Sequence, residues 1–138
     1  MYVYEEMVDM LYEKFPELRE EYPDEIEYYK ELYKECGDKN TGAYSHFENI
    51  FWGYIKSALE NEPEDRNLLK RIFSFFEEMA ISDDGGVSNL LQVALLENIW
   101  SMSYPTYKRA IKLMLPMTRK LSQEHSSYLA EPKPLSGT

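Results

Sequence analysis

Few side chains in this chain could do covalent or metal chemistry. It holds one cysteine, Cys36, and two histidines, His46 and His125. A lone cysteine on the apolar stripe of a helix behaves as a small buried hydrophobe. Its candidate base, His46, is distant in sequence, and His125 lies near the tail. His46-Phe47-Glu48 has the H-x-E form of zinc deaminases, but that chemistry also needs a P-C-x-x-C, which one cysteine cannot supply. No E-x-x-H pair is present for a carboxylate-bridged metal pair. His46 therefore reads as a residue of a helix's first turn. No metal and no cofactor are expected.

Gly85-Gly86 precedes a helix and could offer amides to an anion, yet Asp83 and Asp84 stand beside it and would repel phosphate. Those aspartates suit the N-terminus of the following helix, where negative charge is favoured. They fall short of a calcium loop, which needs more oxygen ligands at fixed spacing. Glu77, Glu78 and Glu97 are the remaining carboxylates of interest. Glu97 sits in the apolar run LLENIW and is expected to be buried and hydrogen-bonded. Such carboxylates can do acid–base work. They can equally tie helices together through backbone amides or tyrosine hydroxyls.

The elements that would position these groups are helices. Apolar residues recur at three- and four-residue spacing throughout, and no hairpin signal appears. Val3, Met7, Met10, Leu11, Phe15 and Leu18 line one side of a first helix that Pro16 breaks or kinks. A short turn follows over Glu17 to Tyr22. Asp24 is read as the N-cap of a second helix, Glu25 to Cys36, with Ile26, Tyr29, Leu32, Tyr33 and Cys36 inward and Gly37 ending it. A third helix spans about Tyr44 to Asn61. Pro63 suits the first turn of a fourth, which carries Leu68 to Ala80. Ser82 to Gly86 is the clearest breaker. The run VSNLLQVALLENIW is apolar on nearly all sides and predicts a central buried helix over Val87 to Ser101. A sixth helix starts near Pro105 and reaches Leu115. Pro116 then kinks it or opens a short helix to about Ser122. The expected architecture is all-α: a single-domain bundle of about six mostly antiparallel helices over residues 1–129, with a tail over residues 130–138.

Composition agrees with that class. A chain of 138 residues with a 43% hydrophobic share suits one domain. The opening MYVYEEMVDM has neither the basic nor the apolar region of a signal peptide, and no apolar run is long enough to span a membrane. A cytoplasmic location is expected, since one cysteine cannot form an internal disulfide. The net charge of −10 argues against nucleic acid, whose phosphates call for Lys and Arg. The charge is polarised: residues 1–36 hold 12 acids against 4 bases, and residues 101–138 hold 6 bases against 2 acids. An acidic pole can be a solvated surface or a dock for a basic partner. Tyr22, Tyr28, Tyr29 and Tyr33 alternate there with Glu21, Asp24, Glu25, Glu27 and Glu31. Tyrosines among carboxylates suit an interface, although they can also pack inward with only their hydroxyls wet.

The stretch FSFFEEMAISDDGGVSNLLQVALLENIW resembles the signature of a family of small bacterial all-helical domains of unassigned function. The resemblance rests on Phe76, Glu77, Glu78, Met79, Asp83, Asp84, Asn89, Leu90, Leu91 and Glu97. Phe15-Pro16-Glu17-Leu18 resembles that family's start, and Pro116, Thr118 and Arg119 its closing element. The family is similar in size and setting to immunity proteins of bacterial polymorphic toxins. The resemblance implies a non-enzymatic protein whose partner is a cognate protein toxin with a basic surface, and no catalytic residue. Glu21, Tyr22, Glu25, Glu27, Tyr28, Glu31, Asp83 and Asp84 are the candidate partner-binding residues. A structural or regulatory helical module is the alternative, and an enzyme using Glu77, Glu78, Glu97 or the Asp83-Asp84 loop is the third reading.

Overall fold

The computed structural model describes residues 1–35 and 42–126. Among the described residues there are eight helices rather than about six, and no strand. A 3₁₀ turn, Tyr4–Glu6, leads into α1, Met7–Lys14. Then come α2, Glu17–Glu21, and α3, Pro23–Glu35. Helix α4 covers residues 43–60, α5 is Arg66–Ala80, and α6 covers residues 85–100. Helices α7, Tyr104–Leu113, and α8, Pro116–Ser126, close the described chain. The expected tail, the lone Cys36 and the Gly37 stop lie outside the described residues.

The two extra helices come from prolines that separate rather than bend. Pro16 closes α1 and stands before α2, and Pro116 opens α8 as its first residue. Pro23 likewise is the first residue of α3, so Asp24 lies inside the first turn rather than capping it. Pro63 falls in the α4–α5 connection. Helix α5 starts three residues later, where Asp65 accepts the Leu68 amide at 3.1 Å. Gly42 precedes α4 with φ +73°, and a Cβ there would collide with the Tyr33 ring. Glycine is the residue that meets both demands.

Helices α4 and α6 each open into an i→i+5 turn, over Phe47–Phe51 and Leu91–Leu96. A wider turn advances the side chains less per residue than the α-helix does. This accounts for the unusual pattern of α6. On a regular helix Val87 and Leu96 would point in opposite directions, yet both are buried with Leu90, Leu91, Ala94, Leu95 and Ile99. Gln92, Val93, Glu97 and Asn98 are only half-buried. The helix is thus central but two-faced.

Phe75 on α5 is the meeting point of the aromatic core. Its ring centroid lies 5.5 Å from Phe15 at the end of α1, and 6.4 and 5.8 Å from Phe47 and Phe51 on α4. Tyr2 closes over it at 5.7 Å. Two residues further along α5, Glu77 reaches α8. Its carboxylate accepts the Met117 amide at 3.1 Å and both the amide and the hydroxyl of the fully buried Thr118 at 2.8 Å. A carboxylate from one helix therefore satisfies amides in the first turn of another, where negative charge is favoured.

Two stability predictions follow from these contacts. Phe76 and Leu91 are fully buried, so Phe76→Ala or Leu91→Ala should cost ~2–5 kcal/mol in urea unfolding. Glu77→Ala should cost about 1–3 kcal/mol by orphaning the α8 amides. Hydrogen exchange at Met117 and Thr118 should then rise before that of α5, and unchanged protection would refute the capping role.

Candidate functional site

Helix α3 is the most acidic element and carries four of the eight candidate residues, Glu25, Glu27, Tyr28 and Glu31. Its buried side is made by Ile26 with the half-buried Tyr29 and Tyr33. The opposite side presents Asp24, Glu27, Tyr28, Glu31 and Leu32 around an open groove of about 440 Å³. Tyr28 is 62% exposed and Leu32 39% exposed. Leu32 thus faces water, against the inward position expected from its spacing. Glu25 and Glu21 are exposed as well. Tyr22 is half-buried and packs against the core, so it is not part of the open face. The tyrosines divide between the two roles considered from sequence. Tyr28 is outward, while the Tyr29 hydroxyl accepts from Asn49 Nδ2 at 3.0 Å and Tyr33 bonds Ser45 Oγ at 2.9 Å.

Asp83 and Asp84 sit at the α5–α6 junction and differ in use. Asp84 caps α6 by accepting the Gly86 amide at 2.8 Å, and its other oxygen accepts the Tyr4 amide at 2.8 Å. Those two backbone bonds, Tyr4 first, hold its carboxyl below the usual range. Ser82 Oγ donates to the Tyr2 carbonyl at 2.6 Å, and Tyr2 donates its hydroxyl to Glu78. The junction is therefore a clasp on the N-terminal segment. Asp83 is exposed.

Glu97 is less buried than its apolar flanks suggest. Its side chain is 46% exposed and meets His125 Nε2 at 3.3 Å. The i→i+5 turn before it swings it out of the core. It lines a polar groove of about 340 Å³ with Glu48, Trp52, Val93, Asn98 and Ser101, where the wide turns of α4 and α6 face each other.

Two polar arrangements escaped the sequence reading. In the first, Arg71 on α5 forks onto Glu17 at 2.8 and 3.0 Å and also donates to the Lys14 carbonyl at 2.9 Å. Tyr54 donates to the same carboxylate at 2.7 Å. Burial raises the Glu17 carboxyl, but the Arg71 and Tyr54 hydrogen bonds outweigh it and leave it below its ordinary value. This clamp ties the α1–α2 corner to α4 and α5. Phe15-Pro16-Glu17 marked the corner, but no local spacing marks the partners 37 and 54 residues away.

The second is His46, placed in the first turn of α4 as expected but with 0% exposure. Its Nδ1 lies 2.6 Å from the Tyr12 hydroxyl, and Nε2 has no hydrogen-bond partner among the described residues. Burial, with a smaller effect from Lys30, lowers its pKa from 6.5 to about 4. The imidazole is therefore neutral at pH 7. The unfolded chain takes up this proton first as pH falls, so the stability His46 confers is complete above pH 6.5 and is lost toward pH 4. The loss should be on the order of 3 kcal/mol. Urea unfolding of wild type and His46→Gln between those limits isolates it: the wild type should lose stability more steeply, and parallel pH curves would refute the assignment.

Among the described residues no helix is long and apolar enough to cross a membrane. No curated protein and no solved structure matches the chain. A family model does match, over residues 8–130, and it covers α2 to α8 and nearly all of α1. The protein belongs to the family described as a domain of unknown function, DUF7674.

Proposed function

We propose that this protein is an immunity-type binding protein that neutralises a cognate bacterial toxin domain by covering its active surface. The observation that carries this reading is the outward side of α3. There an exposed tyrosine and leucine stand among Asp24, Glu27 and Glu31. Tyr28 supplies contact area at low entropic cost, and the carboxylates complement a basic cleft of the kind that holds phosphates in nucleases. A basic partner would also be steered toward the acidic pole of the chain. The protein acts by binding, in the cytoplasm, without a cofactor.

A carboxylate-dependent enzyme is the reading that the Glu48–Glu97 groove favours. It calls for a substrate turned over in a manner sensitive to Glu97→Gln. The binding reading calls for none.

The test uses the cognate toxin domain that this reading calls for. Charge reversal at Glu21, Glu27 and Glu31 should slow association on the order of tenfold at low salt and flatten its salt dependence. Tyr28→Ala should mainly speed dissociation. Helix content should be unchanged, because these residues are exposed. Unchanged kinetics with the complex still forming would move the interface off α3. Absence of any complex would favour the regulatory-module alternative.

A further inference from the structure

A second surface, separate from the acidic side of α3, has the opposite character. Between α5 and α7 runs a half-open groove of about 530 Å³. Its walls are Leu69 and Phe73 from α5 and Leu113 and Leu115 from the end of α7 and the turn after it. Leu115 is one of the large apolar side chains left exposed, and it extends the apolar wall outward.

The charges at this groove do not follow the acidity of the chain. Glu64 is the acid in its lining, and it lies 3.8 Å from Arg66 and 4.0 Å from Arg109. One carboxylate thus stands between two guanidinium groups. Lys70, one turn along α5 from Arg66, lines the same groove and forms no ion pair among the described residues. The groove is therefore locally cationic on a protein of net charge −10. A concave site of this size that combines apolar walls with a few charged groups is the general form of a small-molecule site.

We propose that the α5–α7 groove binds an amphipathic organic carboxylate, its hydrocarbon body on Leu69, Phe73, Leu113 and Leu115 and its head on Lys70 and Arg66. Charge complementarity selects this occupant. A neutral or cationic amphiphile would gain the apolar contacts but not the charge-assisted hydrogen bonds, and a cation would meet Lys70 directly. A small polyanion without a hydrocarbon body would leave the half-buried Leu113 and the exposed Leu115 wet.

Calorimetric titration of the full chain with dodecanoate, dodecanol and dodecylamine, all below micelle formation, tests this. Dodecanoate should bind at one saturable site, at least about tenfold tighter than either analogue. Lys70→Glu combined with Arg66→Glu should weaken dodecanoate about tenfold or more and leave dodecanol unchanged. Ser74→Trp, placed on the groove lining, should weaken both. Circular dichroism should show the helices intact in each variant and in the complex. Equal affinity for the three amphiphiles, binding that ignores the charge reversal, non-saturable uptake with loss of helix, or an acidic peptide occupying the groove in place of dodecanoate would each overturn the proposal. None of these measurements involves α3 or a toxin, so failure here leaves the proposed function standing.

Discussion

The burial of Phe75 is the contact on which the rest of the structure depends. Its ring touches residues of the N-terminal segment, α1 and α4 while sitting on α5. Phe15 and Phe51 also meet each other at 4.9 Å, and Phe51 reaches Phe76. Aromatic rings bury large areas and prefer tilted or edge-on contact, which fixes angles as well as distances. The cluster thereby sets how α1 and α4 lie on α5. Loss of one ring removes packing from several helices together.

Around that cluster, several carboxylates serve backbone amides. Glu77 serves α8, Asp84 serves α6 and the N-terminal segment, and Asp65 serves α5. Glu17 takes a guanidinium fork and a tyrosine hydroxyl instead. The acids thus fall into two populations. One is fixed by internal donors and acts structurally. The other, on α3, has its carboxylates on the open face. The acidic pole is shared between α3, with 5 of the 12 acids of residues 1–36, and the residues before it, with 7.

Helix type and most of the core were legible in the residues, because three- and four-residue spacing reports burial directly. Pro16 was legible as a break. The failures have physical causes. Pro23, Pro63 and Pro116 each punctuate the chain, but a proline at a first turn and a proline in a connection read alike until packing chooses. The outward position of Glu97 and the inward position of Leu96 depend on a wide turn that no residue type announces. Leu32 carries an inward-looking spacing on a helix whose inner side is completed by Tyr29 and Tyr33. Among the candidate residues, the acids of α3 could be named because charge predicts exposure. Tyr22 and Asp84 could not be separated from them, since their employment is set by Ile26's side of α3 and by the Tyr4 amide.

The cap that Glu77 places on α8 also bears on how the chain reaches its fold. An isolated helix of 11 residues is marginal in water. Helix α8 begins with proline, and its first-turn donors are met by a side chain about 40 residues earlier. During synthesis α5 leaves the ribosome first and can settle against α4 with its glutamate already in place. The ordering of α8 is thereby coupled to the placement of Glu77 on α5.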